Sequence, residues 1–126
     1  MKLRFYLGTF LALTHLIACA PIGEYEYVEG KVNIVATTTM LGDLATQIGG
    51  EHVHVITLMK AGVDPHSYNP KPSDTRALAK ADLVLMNGLH LEAKMGDVLA
   101  SIAEEKRFRA SDILEAMSTS AIIKDD

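Results

Sequence analysis

The sequence predicts an α/β fold, a parallel sheet with helices on both faces. Short apolar runs rich in β-branched residues, at 32–37 and 53–58, alternate with stretches whose apolar residues recur at helical spacing. A third run, Leu-Val-Leu-Met at 83–86, is continuously apolar, as in a strand covered by helices on both sides. The resulting order is strand, helix, strand, loop plus helix, strand, helix. Right-handed crossovers between parallel strands satisfy it.

The first strand, 32–37, is too short and too β-branched for a helix. Thr38 or Thr39 then caps a helix whose apolar residues Met40, Leu41, Leu44 and Ile48 share one face, and Gly49-Gly50 stops it. The second strand is 53–58. His52 and His54 alternate there with Val53 and Val55, so they face away from the core. Residues 59–72 hold Gly62, Pro65, Pro70 and Pro72, which leaves a long ordered loop, and long loops in compact domains are usually functional. Ser73 caps a short helix through Lys80, with Asp74 near the positive end of its dipole. The third strand is 82–87. Leu91, Met95, Val98, Leu99 and Ile102 predict a third helix of about four turns reaching Lys106. Residues 108–110 carry a weak strand signal, and the run 111–116 amounts to one helical turn. Ile122 and Ile123 find no partners in the pattern.

The chain of 126 residues is one domain's worth, and its 48% hydrophobic and 22% charged residues are those of an ordinary globular protein. A formal net charge of -4 with no basic stripe argues against nucleic acid as a partner. Lys2 and Arg4 precede an apolar run at 5–17 that ends in Leu-Ile-Ala-Cys, a pattern that predicts an export signal over 1–18. A permanent membrane span is the weaker reading, because the run is short and Thr9, Thr14 and His15 dilute it. Cys19 is the single cysteine, which excludes an internal disulfide. Its position resembles a bacterial lipoprotein cleavage box, where the thiol becomes the lipid attachment point, and the alternative is a small buried cysteine. Residues 19–31, acidic and with Pro21 and two glycines, read as lipid attachment and tether. The globular part is then 32–126.

Ligands of open parallel sheets sit beyond the carboxyl ends of the strands. The loop after the second strand, with His66, and the loop after the third, with His90, both open there. Imidazole suits borderline metals when the ring is held in one orientation. Pro65 fixes its own φ and restrains Asp64, while Gly62 permits a sharp turn before them. The Asp64 carboxylate can accept from a ring or from the loop backbone, and the residues alone leave both open. The bland alternative is a proline-rich surface loop that happens to hold a histidine. Glu104-Glu105 and Asp125-Asp126 lack an accompanying nucleophile, Ser111 and Ser118 lack a nucleophile elbow, and no phosphate-binding glycine pattern is present, so an enzyme is not expected. Met86, Met95 and Met117 read as core filler rather than a copper site.

The stretch GVDPHSYNPKPSDTRALAKADLVLMNGLHLEAKM, residues 62–95, resembles the metal-binding solute-binding lipoproteins of bacterial ABC importers for manganese, zinc or iron. The resemblance implies a two-lobe receptor of the periplasmic-binding-protein kind, of which 32–126 would be a partial amino-terminal lobe. It implies His66 as the first metal ligand, with His90, at a variable position, and Asp64 lining the cleft. The expected cargo is a divalent transition metal ion, manganese or zinc with iron as a third choice. The expected partners are an ABC permease in the membrane and the membrane itself through the lipid anchor at Cys19, on an exported protein at the cell surface or in the periplasm. A surface adhesin of the same fold is the alternative, and a metal-dependent hydrolase is disfavoured because no general base accompanies the loop. The remaining ligands of such a receptor would lie beyond Asp126. One imidazole holds a transition metal weakly, so the isolated chain is expected to bind weakly or not at all, and its uncovered sheet edge to leave it marginally stable.

Overall fold

The computed structural model describes residues 25–122. Its sheet has four parallel strands, β1 (Val32–Thr38), β2 (Val53–Met59), β3 (Leu83–Met86) and β4 (Arg107–Arg109), in the order β2-β1-β3-β4. Helix α1 (Thr39–Gly49) joins β1 to β2, and α2 (Pro72–Lys80) follows the long loop and leads to β3. A short helix α3 (Gly96–Ala100) precedes β4, and α4 (Ala110–Ile122) follows it. The chain leaves β1 in one direction for β2 and then crosses over β1 to β3, so the topological switch lies between β1 and β3.

Helices cover both sheet faces, as the continuous apolar run of β3 requires. Val35 aligns with Ile56 on one side and Val84 on the other. These three pack with Ala77, Leu78 and Ala81 around α2 and with Met95 and Leu99 around α3. Burying a side chain such as Leu78 or Leu99 contributes about 1.5–3 kcal/mol, so this layer dominates the core. On the opposite face α1 lies against β1 and β2. It approaches through its small residues: a Cβ on Gly42 would stand 2.3 Å from Thr57 Oγ1, and one on Gly49 2.3 Å from Val53.

That approach overturns the expected face of α1. Ala45 and Gly42 are buried, whereas Met40, Leu44 and Ile48 are 69%, 53% and 79% exposed. Large side chains on the inner face would hold the helix too far from the strands, and the glycines let the backbone come close. Thr38 does occupy the N-cap position, but its hydroxyl accepts from Asn87 Nδ2 at 3.1 Å rather than capping the helix.

Further differences are local. Helix α2 starts at Pro72 with Lys71 as its N-cap, so Ser73 is already inside the first turn. Proline at the first helical position is pre-organised, and Asp74 reaches back to the Lys71 amide at 2.7 Å. The third helix is not four continuous turns. A 3-10 turn (Ala93–Met95), α3 and a second 3-10 turn (Glu104–Lys106) replace it, although Met95 and Leu99 are buried as expected. The side chain of Glu92 is drawn back under the preceding loop, which prevents a regular helical start at Leu91. Helix α4 is far longer than the single turn expected, and Met117, read as core filler, is 64% exposed on it. His52 is exposed in a 3-10 turn, while His54 is half-buried opposite Asn33.

Residues 25–31 are tied to the sheet end. The Asn33 side chain accepts from the Val28 amide at 2.8 Å and donates to the Val28 carbonyl at 2.9 Å, and Tyr25 packs on the core. The stretch expected to be an export signal, Cys19 and the start of the expected tether, together with Ile123 and the terminal acids, lie outside the described residues.

Candidate functional site

Two loops rise from the carboxyl edge of the sheet on either side of β1. The first follows β2 and carries His66. Its imidazole is exposed, and the backbone beneath it is shaped by Asp64. The Asp64 carboxylate accepts the His66 amide at 3.1 Å, and the Asp64 carbonyl accepts the Ser67 amide at 3.3 Å and the Ser67 hydroxyl at 3.2 Å. The carboxylate therefore serves the loop backbone, closing a tight turn that presents the histidine ring outward. The Ser67 side chain and the His66 amide together hold the Asp64 carboxyl below the usual carboxylate range. An ionised carboxylate adjacent to an exposed imidazole favours a cation over an anion at this loop.

The exit of the same loop is latched to Asp74, which is buried on α2. The Tyr68 hydroxyl donates to Asp74 Oδ2 at 2.6 Å, beside the Lys71 amide. Burial, and then the Asp74 carboxylate, push the Tyr68 phenol well above its ordinary value, so it remains a protonated donor.

The second loop follows β3 and carries His90. Its conformation is unusual: Gly88, Leu89 and His90 have φ of 84°, 51° and 60°, three successive residues in the left-handed region. Such a conformation costs on the order of 1–3 kcal/mol per non-glycine residue and persists only when its surroundings over-determine it. Glu92 supplies the determination. One carboxylate oxygen accepts the Asn87 amide at 2.8 Å, the Asn87 side chain at 2.9 Å and the Thr37 hydroxyl at 2.7 Å, and the other accepts the Gly88 amide at 3.2 Å. Burial raises the Glu92 carboxyl, but the bonds from Thr37, Asn87 and Gly88 outweigh it and leave the group below its ordinary value. His90 is exposed at the mouth of a cleft of about 540 Å³ also lined by Arg107, Arg109 and Ser111.

The topology thus brings His66 and His90 to one sheet edge, each on a loop secured by a buried carboxylate. It does not complete a metal centre: among the described residues no group of three His, Cys, Asp or Glu side chains converges to hold an ion. Glu92 and its donors Thr37 and Asn87 were not singled out from the sequence. The available signal was the Asn-Gly followed four residues on by Leu-Glu, in which a carboxylate lies within reach of the preceding turn's amides.

Comparison with known proteins places the chain in a family. Residues 34–125 match the family described as zinc-uptake complex component A, periplasmic. The chain is 42% identical over 108 residues to the manganese-binding lipoprotein MntA of Bacillus subtilis, a match covering 86% of this chain and 35% of that protein. It is 33% identical over 91 residues to the iron ABC transporter substrate-binding lipoprotein MtsA of Streptococcus pyogenes, covering 72% of this chain and 29% of MtsA. The periplasmic zinc binding protein TroA of Treponema pallidum superposes with a TM-score of 0.63 at 40% identity, over 66% of this chain and 30% of that one. A manganese-bound periplasmic metal binding protein of Candidatus Liberibacter asiaticus superposes with a TM-score of 0.59 at 32% identity, over 65% of this chain and 31% of that one. The chain spans about a third of the length of these relatives.

Proposed function

The chain belongs to the zinc-uptake component A family, and from that premise we propose that it is part of a metal-capturing receptor that delivers a divalent transition metal ion to an ABC permease. The observation that carries this reading is His66, exposed at the carboxyl edge of the sheet on a turn closed by its neighbour Asp64. His66 is the metal ligand in this proposal, with Asp64 orienting the loop and His90 lining the cleft. The names of relatives divide among manganese, iron and zinc, and each metal accepts imidazole, so selectivity rests with ligands other than His66. The role is capture and release without catalysis. No observation favours the adhesin alternative.

A tight site requires three or more protein ligands, so residues 32–126, the partial metal-binding lobe, contribute one of several. Calorimetric titration of the 126-residue chain with manganese and zinc should show only weak binding, and submicromolar affinity would refute the single-ligand reading. Joined to the remaining two-thirds of MntA, the same residues should bind tightly and lose on the order of 100-fold in affinity on His66→Ala. An unaffected His66→Ala chimera would remove His66 from the site. The relatives' names as lipoproteins support a lipid anchor at Cys19, after a signal over 1–18 and before a tether over 19–31 whose last residues, from Tyr25 on, are held against the sheet. Incorporation of labelled lipid precursor into the wild type but not into Cys19→Ala tests it.

A further inference from the structure

We propose that Asp74 is a positioning residue that couples the segment leading into β1 to the loop carrying His66, through two tyrosine hydroxyls that share its buried carboxylate. Asp74 is 1% exposed, on the first turn of α2. Its two oxygens face different parts of the chain. Oδ2 takes the Tyr68 hydroxyl at 2.6 Å and the Lys71 amide at 2.7 Å, both from the His66 loop and its exit. Oδ1 takes the Tyr25 hydroxyl at 3.2 Å, from 49 residues away in sequence, and the Ser73 hydroxyl at 3.4 Å.

A carboxylate has about four acceptor sites, and here four donors occupy them. In so buried a position its desolvation is offset only while those donors stay in place. Removing one raises the cost of keeping the others, so the donors act as a unit rather than as independent contacts. Both phenol rings also pack against the core, which fixes where their hydroxyls can go. Tyr68 stands two residues from His66, and Asp64 closes the turn on the histidine's other side. The path from Tyr25 through Asp74 to Tyr68 therefore consists of hydrogen bonds and two packed rings, and the backbone through Ser67 carries it on to His66. Order in the residues before β1 is transmitted to the loop, and displacing Tyr25 loosens the loop without touching it. Neither the polar latch nor its extension to Tyr25 requires a metal; only the consequence for capture rests on the proposed function.

The test is amide hydrogen exchange by NMR on the full 126-residue chain, comparing wild type with Tyr25→Phe and Tyr68→Phe. These substitutions delete one hydroxyl and keep the packed ring. Tyr25→Phe should speed exchange at Ser67 and Lys71 about fivefold, as loss of one hydrogen bond implies, while Val35 and Val84 in the sheet exchange as before. Tyr68→Phe should do the same more strongly. Acceleration confined to residues near Tyr25, or uniform acceleration that includes the sheet, would overturn the coupling, the second outcome reducing Asp74 to ordinary stabilisation. In parallel, manganese(II) broadening of the His66 ring signals reads metal contact. Its absence in the wild type would count against His66 as a ligand while the exchange result still decides the coupling. Where wild type broadens, the two variants should need severalfold more manganese for the same effect.

Discussion

The Thr37 hydroxyl donates to Glu92 at 2.7 Å, joining the end of β1 to the element after β3 where both side chains are buried. This bond ties together the two strands that flank the topological switch, and the same Glu92 oxygen holds the Asn87 amide. Removing the carboxylate leaves several buried donors unpaired. Glu92→Ala is expected to destabilise the fold by about 3 kcal/mol, read as a lower urea midpoint. A midpoint within error of wild type would show that water replaces the carboxylate at no cost.

Glu92 also predicts the acid limb of the stability curve. Its folded value lies below the ordinary 4.5, so the unfolded chain takes up the proton first. The group therefore contributes stability that is present above about pH 4.5 and is lost as pH falls through the folded value. Glu92→Gln should flatten that decline below pH 4.5 while lowering stability at neutral pH. Parallel acid limbs in the two proteins would assign the decline to other groups.

Gly42 tests the close approach of α1 to the sheet. Alanine ordinarily favours a helix over glycine by about 1 kcal/mol. Here a Cβ would stand 2.3 Å from Thr57 Oγ1, so the sign should reverse and Gly42→Ala should cost on the order of 1–3 kcal/mol in thermal or urea unfolding. Thr57→Ala in the same chain should recover part of the loss.

The outward face of α1 predicts the opposite sensitivity. Ile48→Gln, at a position 79% exposed, should change stability by no more than about 0.5 kcal/mol, whereas Ala45→Leu, directed at the strands, should cost on the order of 1–3 kcal/mol. If Ile48→Gln proved the more damaging of the two, the helix would be turned the other way.

His66 should be dispensable for folding. Its side chain is exposed, so His66→Ala should leave the unfolding midpoint within about 0.5 kcal/mol of wild type while abolishing manganese broadening at the loop. A large drop in stability would mean that the ring is structural.

Strands β1 to β3 and the breaker-rich loop were legible because periodicity and β-branching report local backbone preference directly. So was the placing of His66 and His90 at one edge, which follows from parallel connectivity alone. The face of α1 was not. The sequence pattern offers Met40, Leu44 and Ile48 as its apolar stripe, yet Gly42, Ala45 and Gly49 face the sheet, since how close a helix can come depends on what it meets. The long α4 is not legible because Ile113, Leu114 and Met117 are followed by Ser118, Thr119 and Ser120, residues of weaker helix propensity that carry no apolar stripe onward.

By itself, the sequence determined the fold class, the loop that presents His66 and the family, since each resides in residue types at fixed spacing along the chain. Only the tertiary structure decided that Asp74 gathers Tyr25 and Tyr68 and that Glu92 closes on Thr37. Tyr25 and Asp74 are 49 residues apart, and Thr37 and Glu92 55. No local preference encodes such pairs; they form because burial leaves a carboxylate no solvent, and it takes whichever donors the packed strands and helices bring within reach.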